Sequence, residues 1–118
     1  MYYTGSGAYV VAYLYLVGAI AAEVFGTSLL KATDGFTRLW PTVACLAGYV
    51  LSFVLLSQAI KGVQVGVAYA IWSGLGTAAI VTIGAAFLNE PITVVKVVGV
   101  SLIVAGVVTL NVGGAAQH

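Results

Sequence analysis

Apolar residues run nearly unbroken through four blocks of this chain, roughly 9–30, 40–60, 65–88 and 92–112. Three polar breaks divide them: KATDGFTRL, KGVQ and the shorter NEP. A bilayer crossing needs about 20 mostly apolar residues, so each block is long enough to span. Inside lipid every backbone polar group must be satisfied within its own segment, which makes such blocks helices. They are also too long for barrel strands. Each break carries its own punctuation, Gly35, Gly62 and Pro91 in turn. Pro41 and Pro91 are expected to open the second and fourth helices, because proline lacks only an N–H that would be unpaired there. Trp40 beside Pro41 suits the headgroup interface. The expected architecture is an all-α membrane protein, one four-helix domain over residues 1–118, with polar tails MYYTGSGA and GGAAQH.

Composition agrees. The chain is 62% hydrophobic and 6% charged, against about one quarter charged in soluble domains. Its charged residues are Glu23, Lys31, Asp34, Arg38, Lys61, Glu90 and Lys96, and all but Glu23 fall near the three breaks. A net charge of +1 gives no footing for nucleic acid. The single cysteine, Cys45, excludes an intrachain disulfide. The start lacks a basic n-region and Glu23 would interrupt an h-region, so the first block reads as a retained helix rather than a cleaved signal. Four spans place both termini on one side, with Lys31, Arg38 and Lys96 opposite and Lys61 on the terminal side. That weak bias mildly favours termini outside and is compatible with insertion in both orientations.

Glu23 lies in the middle of the first span, within AIAAEVFGTSLLK. A charge at that depth costs about 2.5–3.5 kcal/mol on insertion scales. Lys31 is eight residues on, roughly 12 Å along the axis, too far for an intrahelical salt bridge, and is expected to snorkel to the interface. Glu23 must therefore face a cavity or another helix. Desolvation disfavours its charged form, so it can bind and release a proton. The plainer alternative is a protonated carboxyl donating an interhelical hydrogen bond, but ionisable residues in a membrane mark ion or substrate paths by default.

The other spans carry what a cation site requires. Tyr49, Ser52, Phe53 and Leu56 share a face of helix 2 by their i, i+3, i+4, i+7 spacing. Gly66, Tyr69, Ser73 and Gly76 repeat the pattern on helix 3, with Trp72 adjoining. Aromatic faces around a carboxylate receive a lipophilic cation through cation–π contact and charge neutralisation. Tyr69 and Trp72, mid-span, are assigned to that site. Tyr2, Tyr3, Tyr9, Tyr13, Tyr15 and Trp40 are assigned to packing or the interface. In WSGLG, Gly74 and Gly76 suit a bend or a close helix approach. Gly99, Gly106 and Gly113 recur every seven residues on helix 4, with Leu102 and Ile103 on the same stripe, a packing face of the kind that brings membrane helices together. Asp34 and Arg38 are expected to pair across the first link, and Glu90 to sit at the start of helix 4, where the dipole favours it. There is no metal cluster, phosphate loop or nucleophile–base pair, so the chain does not read as an enzyme and calls for no cofactor.

AEVFGTSLLK (22–31), GFTRLWP (35–41), GVAYAIWSGLG (66–76) and the pair Gly99/Gly106 resemble the signatures of the small multidrug resistance transporters, over about Tyr13 to Asn111. The resemblance implies an antiparallel homodimer of four-helix subunits in a prokaryotic inner membrane, exchanging protons for lipophilic cations. It implies that Glu23 is the shared proton and substrate carboxylate. Tyr49, Phe53, Tyr69 and Trp72 would line the chamber, and Ala19, Ile20, Gly26, Thr27, Ser52 and Leu56 would be near neighbours. Gly99 and Gly106 would lie in the contact between fourth helices. SQAIKGV and NEPIT resemble the guanidinium exporters of the same family. Those exporters carry a Trp where this chain has Gly26, lack Tyr49, and bear a basic residue near Asn111. Helix 1 and Tyr49 thus point to the quaternary ammonium branch, with Gly26 expected to leave room for bulky cations.

Four helices are too few for an alternating-access pathway, whose larger versions place paired repeats around a midplane site, so a second copy must supply the other half. The rival from another class is a proteolipid rotor subunit, also small, glycine-rich and built on one intramembrane carboxylate.

Overall fold

A computed structural model describes residues 6–115, with side chains described over 10–112. Tyr2, Tyr3 and most of the terminal tails lie outside the described residues, as do the side chains at Tyr9 and Gly113. The chain forms helices α1 (Ser6–Leu30), α2 (Leu39–Ala59), α3 (Val65–Phe87) and α4 (Val94–Ala115). All four are long and apolar enough to cross a membrane. α4 therefore continues to Ala115, past the point where a polar tail was expected to start. The two prolines fall elsewhere than expected. Pro41 is the third residue of α2, and Pro91 precedes α4 by three positions. The start of α4 is held instead by Thr93, whose Oγ1 accepts the Lys96 backbone N–H at 3.2 Å, as a capping hydroxyl does.

α1 is the centre of the subunit. It packs along α2 and against α3, α2 and α3 barely meet, and α4 rests mainly on α3. The fold is a slab of 44 × 35 × 18 Å, thinner than two helix diameters, so every helix keeps an unsupported face for lipid or another subunit. The buried cluster lies toward the terminal side: Ala12 and Leu16 of α1, Ala59 at the end of α2, Val63 just after it, Ala68 and Ile71 of α3, and Val107 of α4. At the same end Tyr13 donates to Asn111 Oδ1 at 2.9 Å, tying α1 to α4. Asn111 Nδ2 in turn donates to the Val107 carbonyl.

The first link is organised by Thr33, 1% exposed, in a short 3-10 turn, Lys31–Thr33. Its hydroxyl donates to the Leu30 carbonyl and accepts from the Phe36 N–H, and its carbonyl receives the N–H groups of Thr37 and Arg38. The chain turns through positive φ at Asp34, Gly35 and Phe36. Asp34 and Arg38 do not pair: among the described residues no ion pair lies within 4.0 Å, and the backbone network leaves the turn no need of one.

Candidate functional site

Three successive turns of α1 build the site. At Ala19, buried on the α2 side, the carbonyl accepts the hydroxyl of Ser52 at 2.7 Å. Ser52, fully buried, also accepts the indole N–H of Trp72 at 2.9 Å. One serine thus joins α1, α2 and α3, which a mid-span serine needs in order to leave no polar atom unpaired. The Trp72 ring is held between Phe53 and Tyr69, at 5.5 Å from each and tilted by 53° and 51°, the range of favourable aromatic pairs. Phe53 and Tyr69 are nevertheless 57% and 58% exposed. Ile20 and Leu56, like Trp72 itself, pack against the buried core.

One turn on, Glu23 points at α3, opposite Gly76. A Cβ at Gly76 would lie 2.5 Å from Glu23 Oε1 and 2.8 Å from Oε2, so the absent side chain is the space the carboxyl occupies. Oε2 is buried and has no hydrogen-bond partner among the described residues. One turn further, Thr27 Oγ1 and the Tyr49 hydroxyl are 2.6 Å apart, which fixes the Tyr49 ring along α1. The antiparallel run of α2 and the parallel run of α3 therefore give Glu23 a hydrogen-bonded tier above and another below.

Every residue expected at the chamber lies on these tiers or beside them, and Gly99 and Gly106, expected in the contact between fourth helices, lie apart from it on α4. Gly26 is there for a different reason than expected. A Cβ on it would meet the Cys45 carbonyl at 3.0 Å and the Tyr49 ring at 3.6 Å, so the space it frees is filled by α2 and not kept for a cation. Its counterpart is the buried Gly48, where a Cβ would lie 3.0 Å from the Ala22 carbonyl; no motif in the sequence singles Gly48 out, although it forms a small-residue pair with Cys45. Gly74 meets Ile103 and Val107 of α4, so of bend and close approach it serves the second. A Cβ at Gly99 or Gly106 would meet nothing within 4 Å among the described residues. Their stripe divides, with Leu102 69% exposed and Ile103 turned inward.

Glu90 also departs from expectation. It lies under the end of α3, its N–H donating to the Gly84 carbonyl at 3.0 Å and its carboxyl set against Gly84, because α4 starts four residues later.

Comparison with known proteins agrees with this architecture. A family model described as Small Multidrug Resistance protein matches residues 11–103. The chain is 64% identical to the multidrug resistance protein Mmr of Mycobacterium tuberculosis over 104 residues, 87% of this chain and 97% of the relative. It is 51% identical to NepA, a nicotine metabolites export pump subunit of Paenarthrobacter nicotinovorans, over 81% of this chain and 83% of that one. With the multidrug transporter EmrE of Escherichia coli it shares 46% identity, over 84% of this chain and 90% of EmrE. These matches set aside the rotor-subunit alternative. With four membrane-spanning helices and bacterial relatives along most of its length, the chain is a multi-pass protein of a prokaryotic plasma membrane and belongs to the small multidrug resistance family of efflux transporters.

Proposed function

We propose that this chain is a proton-coupled antiporter for lipophilic quaternary ammonium cations, working as an antiparallel homodimer in which protons and cation compete for Glu23. The observation that carries the reading is the buried Oε2 of Glu23, left without a partner among the described residues of its own subunit. An unsatisfied buried polar atom costs about 1–3 kcal/mol, and more when charged. A proton or a cation relieves that cost, and the two cannot do so at once. Competition for one carboxyl is sufficient for exchange and needs no separate ion site. The exposed rings of Phe53 and Tyr69 beside Trp72 offer the cation–π faces such a substrate uses.

The second subunit is argued from α4, where Gly99 and Gly106 face open space on an apolar helix with few other contacts. An antiparallel pair needs both orientations of one chain, which the 3:1 split of basic residues across the membrane permits. An unlike partner is a second reading of the pairing, favoured by the 51% identity to a protein named as a pump subunit. Ethidium uptake into vesicles holding this chain alone separates the two. In the same vesicles Glu23→Gln is expected to abolish uptake driven by a proton gradient, and retained uptake would sink the mechanism.

A further inference from the structure

α3 holds two carboxyls against glycines. Glu23 rests on Gly76, and Glu90 folds back onto Gly84, which is buried. The two glycines are eight residues apart, roughly 12 Å along the helix. Between them is a cavity of about 310 Å³ lined by Thr27, Leu30, Lys31, Ile80, Leu88 and Glu90, at the lower bound of small-molecule sites. α1 ends at Leu30 and α3 at Phe87, so two helix C-termini, each carrying about half a negative charge, close on this cavity together with the Glu90 carboxylate. Lys31 is the cavity's own cation, and no ion pair within 4.0 Å neutralises it among the described residues. Thr27 marks the inner end, one turn from Glu23. Leu30, Ile80 and Leu88 supply apolar wall.

We propose that this cavity is an outer cation station: Glu90 and the ends of α1 and α3 capture the lipophilic organic cation at the membrane face before it passes to Glu23, and Lys31 is a tethered competitor for the same negative field. The proposal rests on the reading of Glu23 as the inner site. Its chemistry calls for a monocation with an apolar body, because the negative charge is gathered at one end and the walls beside it are aliphatic. A merely structural Glu90 would act through its backbone bond to Gly84, and neutralising its side chain would leave cation entry unchanged.

The test is stopped-flow association of ethidium with the full chain in vesicles of zwitterionic lipid, at about 0.01 M and about 1 M salt, where screening lengths differ tenfold. Removing a charge that steers entry changes the association rate and its salt dependence. Glu90→Gln is expected to slow association about fivefold at low salt, with the difference vanishing at high salt, and Lys31→Gln to speed it about threefold. Association of Glu90→Gln at the wild-type rate in both salts would overturn the station, as would a Lys31→Gln rate that moves in the same direction. If Glu90→Gln does not fold, the direction of the Lys31→Gln change decides alone. Glu23→Gln is measured beside them at equilibrium. Undiminished binding there overturns the inner-site reading, whereas the station stands or falls on the two rates.

Discussion

One added methyl group at Gly76 is expected to push the Glu23 carboxyl aside and weaken cation binding about tenfold. The new Cβ would lie 2.5 Å from Oε1, 2.6 Å from Cδ and 2.8 Å from Oε2, whereas carbon makes its best contacts at about 3.5–4.0 Å. The carboxyl must therefore retreat by about 1 Å, and α1 cannot move with it, being packed along α2 through Gly26 and Gly48. Such overpacking costs about 1–3 kcal/mol, partly offset by about 1 kcal/mol from replacing a mid-helix glycine with alanine. Fold stability should change little. A cation that depends on the carboxyl's position loses about 1.4 kcal/mol, a factor of ten. Ethidium titration of the full chain reads the affinity, and thermal unfolding of the same sample reads the fold. Glu23→Asp retracts the carboxyl by one carbon–carbon bond, about 1.5 Å, and should relieve the clash. In the double variant the two losses should then fall short of their sum by at least about 0.5 kcal/mol, the lower end of the coupling found between residues in contact, and by no more than the loss from Gly76→Ala itself. A Gly76→Ala protein that titrates like the wild type, or strict additivity with Glu23→Asp, would refute the account.

Cation affinity should fall as pH falls, because a protonated Glu23 offers the cation no charge. Ethidium titrations across pH should show up to about a tenfold change per pH unit for each proton displaced, and Glu23→Gln should be flat. Ser52→Ala should leave the Trp72 indole N–H without an acceptor, at about 1–3 kcal/mol; a loosened Trp72 would show in tryptophan fluorescence and as roughly a tenfold rise in ethidium Kd, and an unchanged spectrum would argue against the Ser52 relay. A Cβ at Gly99 or Gly106 would meet nothing within 4 Å among the described residues, so with leucine at both positions helix content by circular dichroism should hold while cross-linked dimer disappears. Persistence of the dimer would place the subunit contact elsewhere.

The spans were legible in the sequence because lipid leaves a long apolar block one structure, and Glu23 because a mid-span carboxylate has few innocent uses. Helix starts were less legible. Proline at Pro91 marks where a helix cannot continue, but the capping hydroxyl of Thr93 decides where the next one begins, and that shift moved Glu90 from the head of α4 to the foot of α3. Glycine roles were the least legible. Gly26, Gly74, Gly76 and Gly99 look alike in a sequence, yet one faces the α2 backbone, one α4, one a carboxyl and one open space. Which neighbour a missing side chain admits is set by helix rotation, and no local pattern encodes it. Thr33 and the Tyr13–Asn111 bond were missed for a related reason: isolated hydroxyls and amides acquire a role only from what the fold brings near them.

The exposure of the aromatic tier bears on why a subunit this small keeps a carboxyl at mid-membrane. Phe53 and Tyr69 leave more than half their surface open although both flank Trp72, and α2 and α3 barely meet beside them. Two rings held so loosely add little to the stability of one subunit. Under the proposed pairing they become the inner wall of a chamber whose other wall is the second copy, and the same operation brings a second Glu23 to the first. Two carboxyls in one chamber resist being charged together, and their protons come off as a property of the pair rather than of either residue. A single monocation can then displace protons from both. The unpartnered oxygen against Gly76 is what makes such a pair responsive: a carboxyl already satisfied by its own subunit would have less to gain from either the proton or the drug.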